Sequence, residues 1–138
     1  MVMQTVDASS AVPKPISTAN APAAGGHYSQ GVIHAGQVYV SGQLPIEPNG
    51  THRPDADFDE QARLAIRNML AVVQAAGSSI ENLVKVTVYL VGVENWPRFN
   101  SIYAELLGDT RPARSVVPVP ELHYGYLVEI DAVAAIGD

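Results

Sequence analysis

A chain of 138 residues with 47% hydrophobic and 16% charged content has the length and apolar material for one domain with its own core, since domains are commonest at about 100–150 residues. A net charge of −6 without any lysine or arginine cluster argues against a nucleic-acid footprint, which needs grouped cations. The absence of cysteine excludes disulfides, thiolate chemistry and cysteine-ligated zinc.

Residues 1–26 are rich in Ala, Pro, Ser and Thr, and residues 1–17 read as an extended, partly flexible lead-in, with a short edge strand near Lys14–Ser17. The N-terminus lacks a signal-peptide pattern, and no stretch reaches the ~18 apolar residues of a membrane span, so a cytoplasmic location is expected. Residues 18–138 read as a single domain. In "GVIHAGQVYVSGQ", two short strands at about 31–34 and 37–41 flank an Ala-Gly turn. "LPIEPNGTHRPDAD" is loop.

The clearest helix follows. Asp57 caps it with Glu60 three residues on, Phe58, Ala62, Ile66, Met69, Val73 and Ala76 recur at helical spacing, and Gly77 supplies the stop. "NLVKVTVYLV" (82–91) is a strand rich in β-branched residues. A second helix starts near Asn95, with Pro97 in its first turn and Gly108 at its end. Closing strands lie at about 113–119 and 127–134.

The order β-β-α-β-α-β-β predicts a two-layer α+β domain with both helices on one face of a mixed sheet. In the last strand Val128, Ile130, Ala132 and Ala134 form the side expected under the helices, while Leu127, Glu129, Asp131 and Val133 form a half-apolar opposite side. Strand 83–91 repeats this with Leu83, Lys85, Thr87, Tyr89 and Val91 on its open side. A sheet face this apolar with no helix left to cover it predicts self-association. Alternation in "ARSVV" pairs Arg114 with Val116 and Ser115 with Val117. If the second pair packs on the helices, Arg114 and Glu129 share the open face. They are then either an interface ion pair or a carboxylate-binding cation beside a general base. Asp131 reads as structural or solvated.

Tyr28 follows "GGH" in a glycine-containing loop, Ser41 and Gly42 end a strand where a ligand can approach the backbone, and Asn100 flanks the second helix's apolar stripe. Of the four histidines, His27, His34, His52 and His123, none has a partner at metal-pair spacing, so no metal is expected. His27 and His123 lie in loops beside the candidate site and line it. There is no phosphate loop, nucleophile elbow or cofactor fingerprint, so the expected chemistry uses water and side chains, without a cofactor.

The segments "APAAGGHYSQGV", "VYVSGQLPIEPNG", "QAAGSSIENLVKVTVYL", "FNSIYAELLGD", "RPARSVV" and "LVEIDAVA" together resemble the YjgF/RidA family of imine/enamine deaminases over about residues 18–135. The most specific piece is "RPARS", with Glu129 fifteen residues after its arginine. The resemblance implies a chorismate-mutase-like fold assembled as a homotrimer, sheets inward, with clefts between subunits. It implies that Arg114 grips a substrate carboxylate and Glu129 activates the hydrolytic water. Tyr28 and Asn100 line the cleft, and Ser41 and Gly42 approach the substrate through their backbone.

The implied reaction is hydrolysis of 2-imino acids or 2-aminoacrylate-type enamines to 2-oxo acids and ammonia. Val116 stands where many members have Cys or Thr, and His27 replaces the usual Pro. "LHYGYLVE" brings Tyr124 and Tyr126 near the cleft, which favours a larger or more apolar substrate. Two alternatives remain: a pathway-specific deaminase of a larger enamine such as 2-aminomuconate, and a non-catalytic regulator that binds a small carboxylate.

Overall fold

The computed structural model describes residues 11–137. Six strands, β1 (Lys14–Ile16), β2 (Gly31–His34), β3 (Gln37–Gln43), β4 (Leu83–Val91), β5 (Ala113–Val119) and β6 (Val128–Ala135), form one sheet in the order β1-β2-β3-β6-β4-β5. Helices α1 (Phe58–Ala75) and α2 (Trp96–Leu107) complete a mixed α+β fold. Every neighbouring pair is antiparallel except β4 and β5, which the α2 crossover makes parallel. The edge strand expected near residue 14 is present as β1; residues 1–10 of the lead-in lie outside the described residues. Among the described residues no helix is long and apolar enough to cross a membrane.

Local chemistry sets these boundaries. Ala35 and Gly36 both take positive φ, 50° and 81°, which gives the β2–β3 hairpin a twist matching its strands. The Asp57 carboxylate accepts from the Glu60 N–H at 2.9 Å and so caps α1. At the other end Ser78 N–H donates to Val73 O and Gly77 N–H to Gln74 O, with Gly77 at φ 87°. This Schellman arrangement satisfies carbonyls the helix leaves open.

The core lies between the helices and one sheet face. Ile66, Met69, Val72 and Val73 of α1 and Phe99 and Ile102 of α2 pack with Val86, Val88, Val128, Ile130 and Ala134, all buried. Gly31 lets β2 approach α1, since a Cβ there would sit 2.7 Å from Val72 Cγ1. Two polar side chains also face inward from α1. Asn68 donates to the carbonyls of Leu44 and Ile46, while Gln61 donates to those of Pro54 and Ala56 and accepts from Leu127 N–H. These buried amides are satisfied, and they hold the β3–α1 loop against the body of the domain.

Two expected faces are reversed. Leu83 was expected on the open side of β4 but is buried, because the register slips between Leu83 and Lys85 and leaves Val84 exposed. In β5, Arg114 lies beside Val86 and Val116 beside Val88, both buried positions, while Ser115 and Val117 align with Thr87 and Tyr89 on the open face. The premise that Arg114 and Glu129 share a face is therefore corrected. Glu129 aligns with Tyr89 on the open side, and Arg114 lies on the helix side.

Candidate active site

Two clusters of chemistry-bearing side chains result, one on each side of the sheet. The first surrounds Glu129. A cleft of about 610 Å³ is lined by Tyr28, Ser41, Gly42, His52, His123, Tyr124 and Glu129, among others. It lies where the β3–β6 register shifts between Val40 and Gln43, an irregularity of the kind that re-aims side chains beside functional sites. Gly42 allows a close approach there. A Cβ on it would lie 2.8 Å from Glu129 Oε2, so the carboxylate rests directly over the glycine backbone. Glu129 is half-buried, and that burial raises its pKa; the nearby His123 opposes the rise and Asp131 adds to it.

The rim of this cleft is fixed by hydrogen bonds. Ser41 Oγ donates to Ser29 O at 2.6 Å and Ser41 N–H to Gln30 O at 2.9 Å, tying the strand end to the Tyr28 loop. Tyr28 Oη accepts from Gly25 N–H at 3.1 Å. The buried Gln30 side chain accepts from Thr18 N–H and donates to the carbonyls of Thr18, Ala21 and Pro22, pinning residues 18–22 beside the cleft. On the open face nearby, Tyr89 donates to Asp131 at 3.0 Å. Burial and then this bond raise the Tyr89 pKa.

The second cluster surrounds Arg114. Its guanidinium lies 4.7 Å from the Trp96 ring centre and 4.8 Å from that of Tyr103, and Nη1 donates to Asn100 Oδ1 at 3.0 Å. Stacking on aromatic faces suits the weakly hydrated guanidinium and lets a cation sit on the helix side of the sheet. Val116, two residues along β5, packs against the core beside it. Tyr103 Oη is buried without a hydrogen-bond partner among the described residues, and burial raises its pKa against the pull of Arg114.

Of the residues singled out from sequence, Tyr28, Ser41, Gly42, His123, Tyr124 and Glu129 come together in the cleft, and Asn100, Arg114 and Val116 come together at the α2–β5 edge. No ion pair joins Arg114 to Glu129 among the described residues. His27 is exposed and does not line the cleft. The sequence reading missed His52. Its Nδ1 lies 3.1 Å from the Tyr126 hydroxyl, and its ring centre lies 4.5 Å from that of Tyr124. Its partners are more than seventy positions away, so no local pattern marks it. Among the described residues no group of His, Asp or Glu is arranged to hold a metal.

Comparison with known proteins adds an independent line. A family model described as Endoribonuclease L-PSP matches residues 18–136. A RutC family protein of Pyrococcus horikoshii is 38% identical over 119 residues, 86% of this chain and 94% of that protein. The human 2-iminobutanoate/2-iminopropanoate deaminase is 37% identical over 129 residues, 94% of this chain and 94% of that protein. The crystal structure of Escherichia coli TdcF with bound serine matches with a TM-score of 0.85 at 36% identity, covering 90% of this chain and 99% of that one.

Proposed function

The chain belongs to the YjgF/RidA family, and from that premise we propose that it is a cofactor-independent hydrolytic deaminase of 2-imino and enamine acids. The general activity has support in relatives named as imine deaminases at about 37% identity. The single observation that carries the mechanism is the division of charge between the two clusters. The Glu129 cleft has no lysine or arginine among its lining residues. The Arg114 guanidinium lies on the other side of the sheet, beside a buried tyrosine hydroxyl that has no hydrogen-bond partner among the described residues.

Each cluster lacks what the other holds, so the working site forms when the Arg114 edge of one copy meets the Glu129 cleft of another. The open sheet face supplies the means of association, since Tyr39 and Val117 are exposed on it and Tyr89 and Val133 are half-exposed. A closed ring of copies, the homotrimer that the family resemblance implies, repeats this contact without leaving an unpaired edge.

In that site Arg114 holds the substrate carboxylate, with Asn100 fixing its guanidinium, and the Ser41–Gly42 backbone borders the opposite side. Glu129 takes a proton from water as the oxygen adds to the imine carbon, forming a C–O bond while the C=N π pair moves to nitrogen. The proton held by Glu129 passes to that nitrogen, giving the neutral carbinolamine. Glu129 then takes the hydroxyl proton as the C=O of the 2-oxo acid forms and the C–N bond breaks, and it delivers that proton to the departing nitrogen, which leaves as ammonia. An enamine enters the same route after protonation at its β-carbon. A raised carboxyl pKa suits Glu129 to this work, because a base is most effective with its pKa near the working pH.

The test couples the purified protein to a pyridoxal-phosphate dehydratase that generates 2-aminoacrylate or 2-iminobutanoate and follows oxo-acid release. Acceleration over spontaneous hydrolysis is expected, together with its loss in Arg114→Ala and Glu129→Gln. No acceleration by the wild-type protein would sink the deaminase reading.

A further inference from the structure

We propose that the rings of His52 and Tyr124 form a stacking wall that selects 2-imino acids with an aromatic side chain over the smallest imino acids. The inference rests on the deaminase reading and specifies the substrate of that same cleft. Three observations carry it.

The first is an ordered ring cluster at the cleft. His52 and Tyr124 are 4.5 Å apart between ring centres, His123 is 6.1 Å from Tyr124, and His52, His123 and Tyr124 all line the cleft. The cluster stands on Tyr126, which is 1% exposed and whose hydroxyl accepts from Arg53 N–H at 3.1 Å and meets His52 Nδ1 at 3.1 Å. The wall is thus held from behind by a buried post, with its front uncovered: Tyr124 is 63% exposed. Large aromatic surfaces fixed in place and left open are suited to a planar partner.

The second is backbone strain. Tyr124 takes φ 63°, a left-handed conformation rarely adopted by a bulky residue, and Gly125 after it continues the turn at φ 79°. Strain of this kind persists where the surrounding structure insists on the direction of a side chain, and it concentrates at ligand sites. Here it projects the Tyr124 ring towards His52.

The third is size. A cleft of about 610 Å³ falls inside the range of about 300–1,000 Å³ typical of sites for ligands of drug size. Leu44, Ile46 and Pro48 add apolar surface to the same cleft, suited to one face of an aromatic ring.

The experiment gives the wild-type protein the imines of phenylalanine and of alanine, each generated by an L-amino-acid oxidase, and compares kcat/KM above spontaneous hydrolysis. The aromatic imine is expected to be favoured by about tenfold or more, a typical discrimination from one well-filled pocket wall. Tyr124→Gly, which suits the left-handed backbone, is expected to lower that preference by about tenfold, and Tyr124→Phe to retain it. A preference for the alanine imine, or a ratio unchanged in Tyr124→Gly, overturns the proposal. A separate arm measures binding of the stable oxo acids phenylpyruvate and pyruvate by calorimetry. If no imine is hydrolysed, the deaminase reading fails, and this arm still decides the wall. Tighter phenylpyruvate binding that is lost in Tyr124→Gly upholds it, and equal binding overturns it.

Discussion

The Glu129 cleft and the Arg114 edge are built from the same sheet and solve opposite problems. In the cleft a carboxylate is half-buried over a glycine with no lysine or arginine among the lining residues, and its burial raises its pKa against the opposing pull of His123. At the edge a guanidinium lies against two rings and donates to an asparagine, with no carboxylate ion-paired to it among the described residues. A buried charge is ordinarily paired. Here each charge is kept apart from its complement within the chain, one on each side of the sheet. That separation gives the fold a base whose proton affinity is set by burial, and a cation free to engage an anion arriving from outside.

The largest expected effect tests the base. Glu129→Gln should lower kcat by about 10²–10⁴-fold, the usual contribution of a general base. Because burial raises the folded-state pKa of Glu129 above the ordinary carboxyl value, the native state binds the proton more tightly than the unfolded chain does. Stability attached to this group is therefore present at low pH and falls as pH rises through the raised pKa. The variant should keep or raise Tm at pH 8 while losing turnover, and a fall in Tm there would point to a structural role. In the wild-type protein the same raised pKa places the acid limb of kcat/KM above the ordinary carboxylate value, with activity lost as pH falls through it.

Next comes the separation itself. Arg114→Ala should cost about 2–5 kcal/mol in kcat/KM, the range for removing one partner of a desolvated charge pair. Mixing the inactive Arg114→Ala and Glu129→Gln proteins after unfolding and refolding should restore activity. In a closed ring about a quarter of the contacts between copies then join an intact edge to an intact cleft. No recovery would mean that both residues act from one copy.

A smaller effect is expected at Gly42. The Cβ of Gly42→Ala would press on Glu129 Oε2 at 2.8 Å, and a displaced carboxylate should reduce kcat by about 10²-fold. The smallest effect concerns the aromatic post. Tyr126→Phe removes the acceptor of Arg53 N–H and should lower unfolding free energy by about 1–3 kcal/mol, measurable by urea denaturation.

Much of the fold was legible. Helix α1 announces itself through Asp57, the apolar spacing and Gly77, and period-two alternation in β6 separates Val128, Ile130, Ala132 and Ala134 from Glu129. In β5 alternation pairs Arg114 with Val116 but cannot say which pair turns inward, because each pair combines one polar residue with one valine. Leu83 fails for a different reason: a register slip breaks the alternation on which the reading depends.

The sequence by itself determined the elements, the candidate reacting groups and their spacing along the chain, because capping, periodicity and residue chemistry are local. Only the tertiary structure decided that Arg114 turns towards α2, where Trp96 and Tyr103 receive its guanidinium, and that Glu129 turns the other way over Gly42. It also brought His52 to Tyr124 and Tyr126, across more than seventy residues. Those placements follow from how α2 carries β5 into parallel register with β4, and from how Gln61 and Asn68 fold the β3–α1 loop back, and neither is written in any one segment.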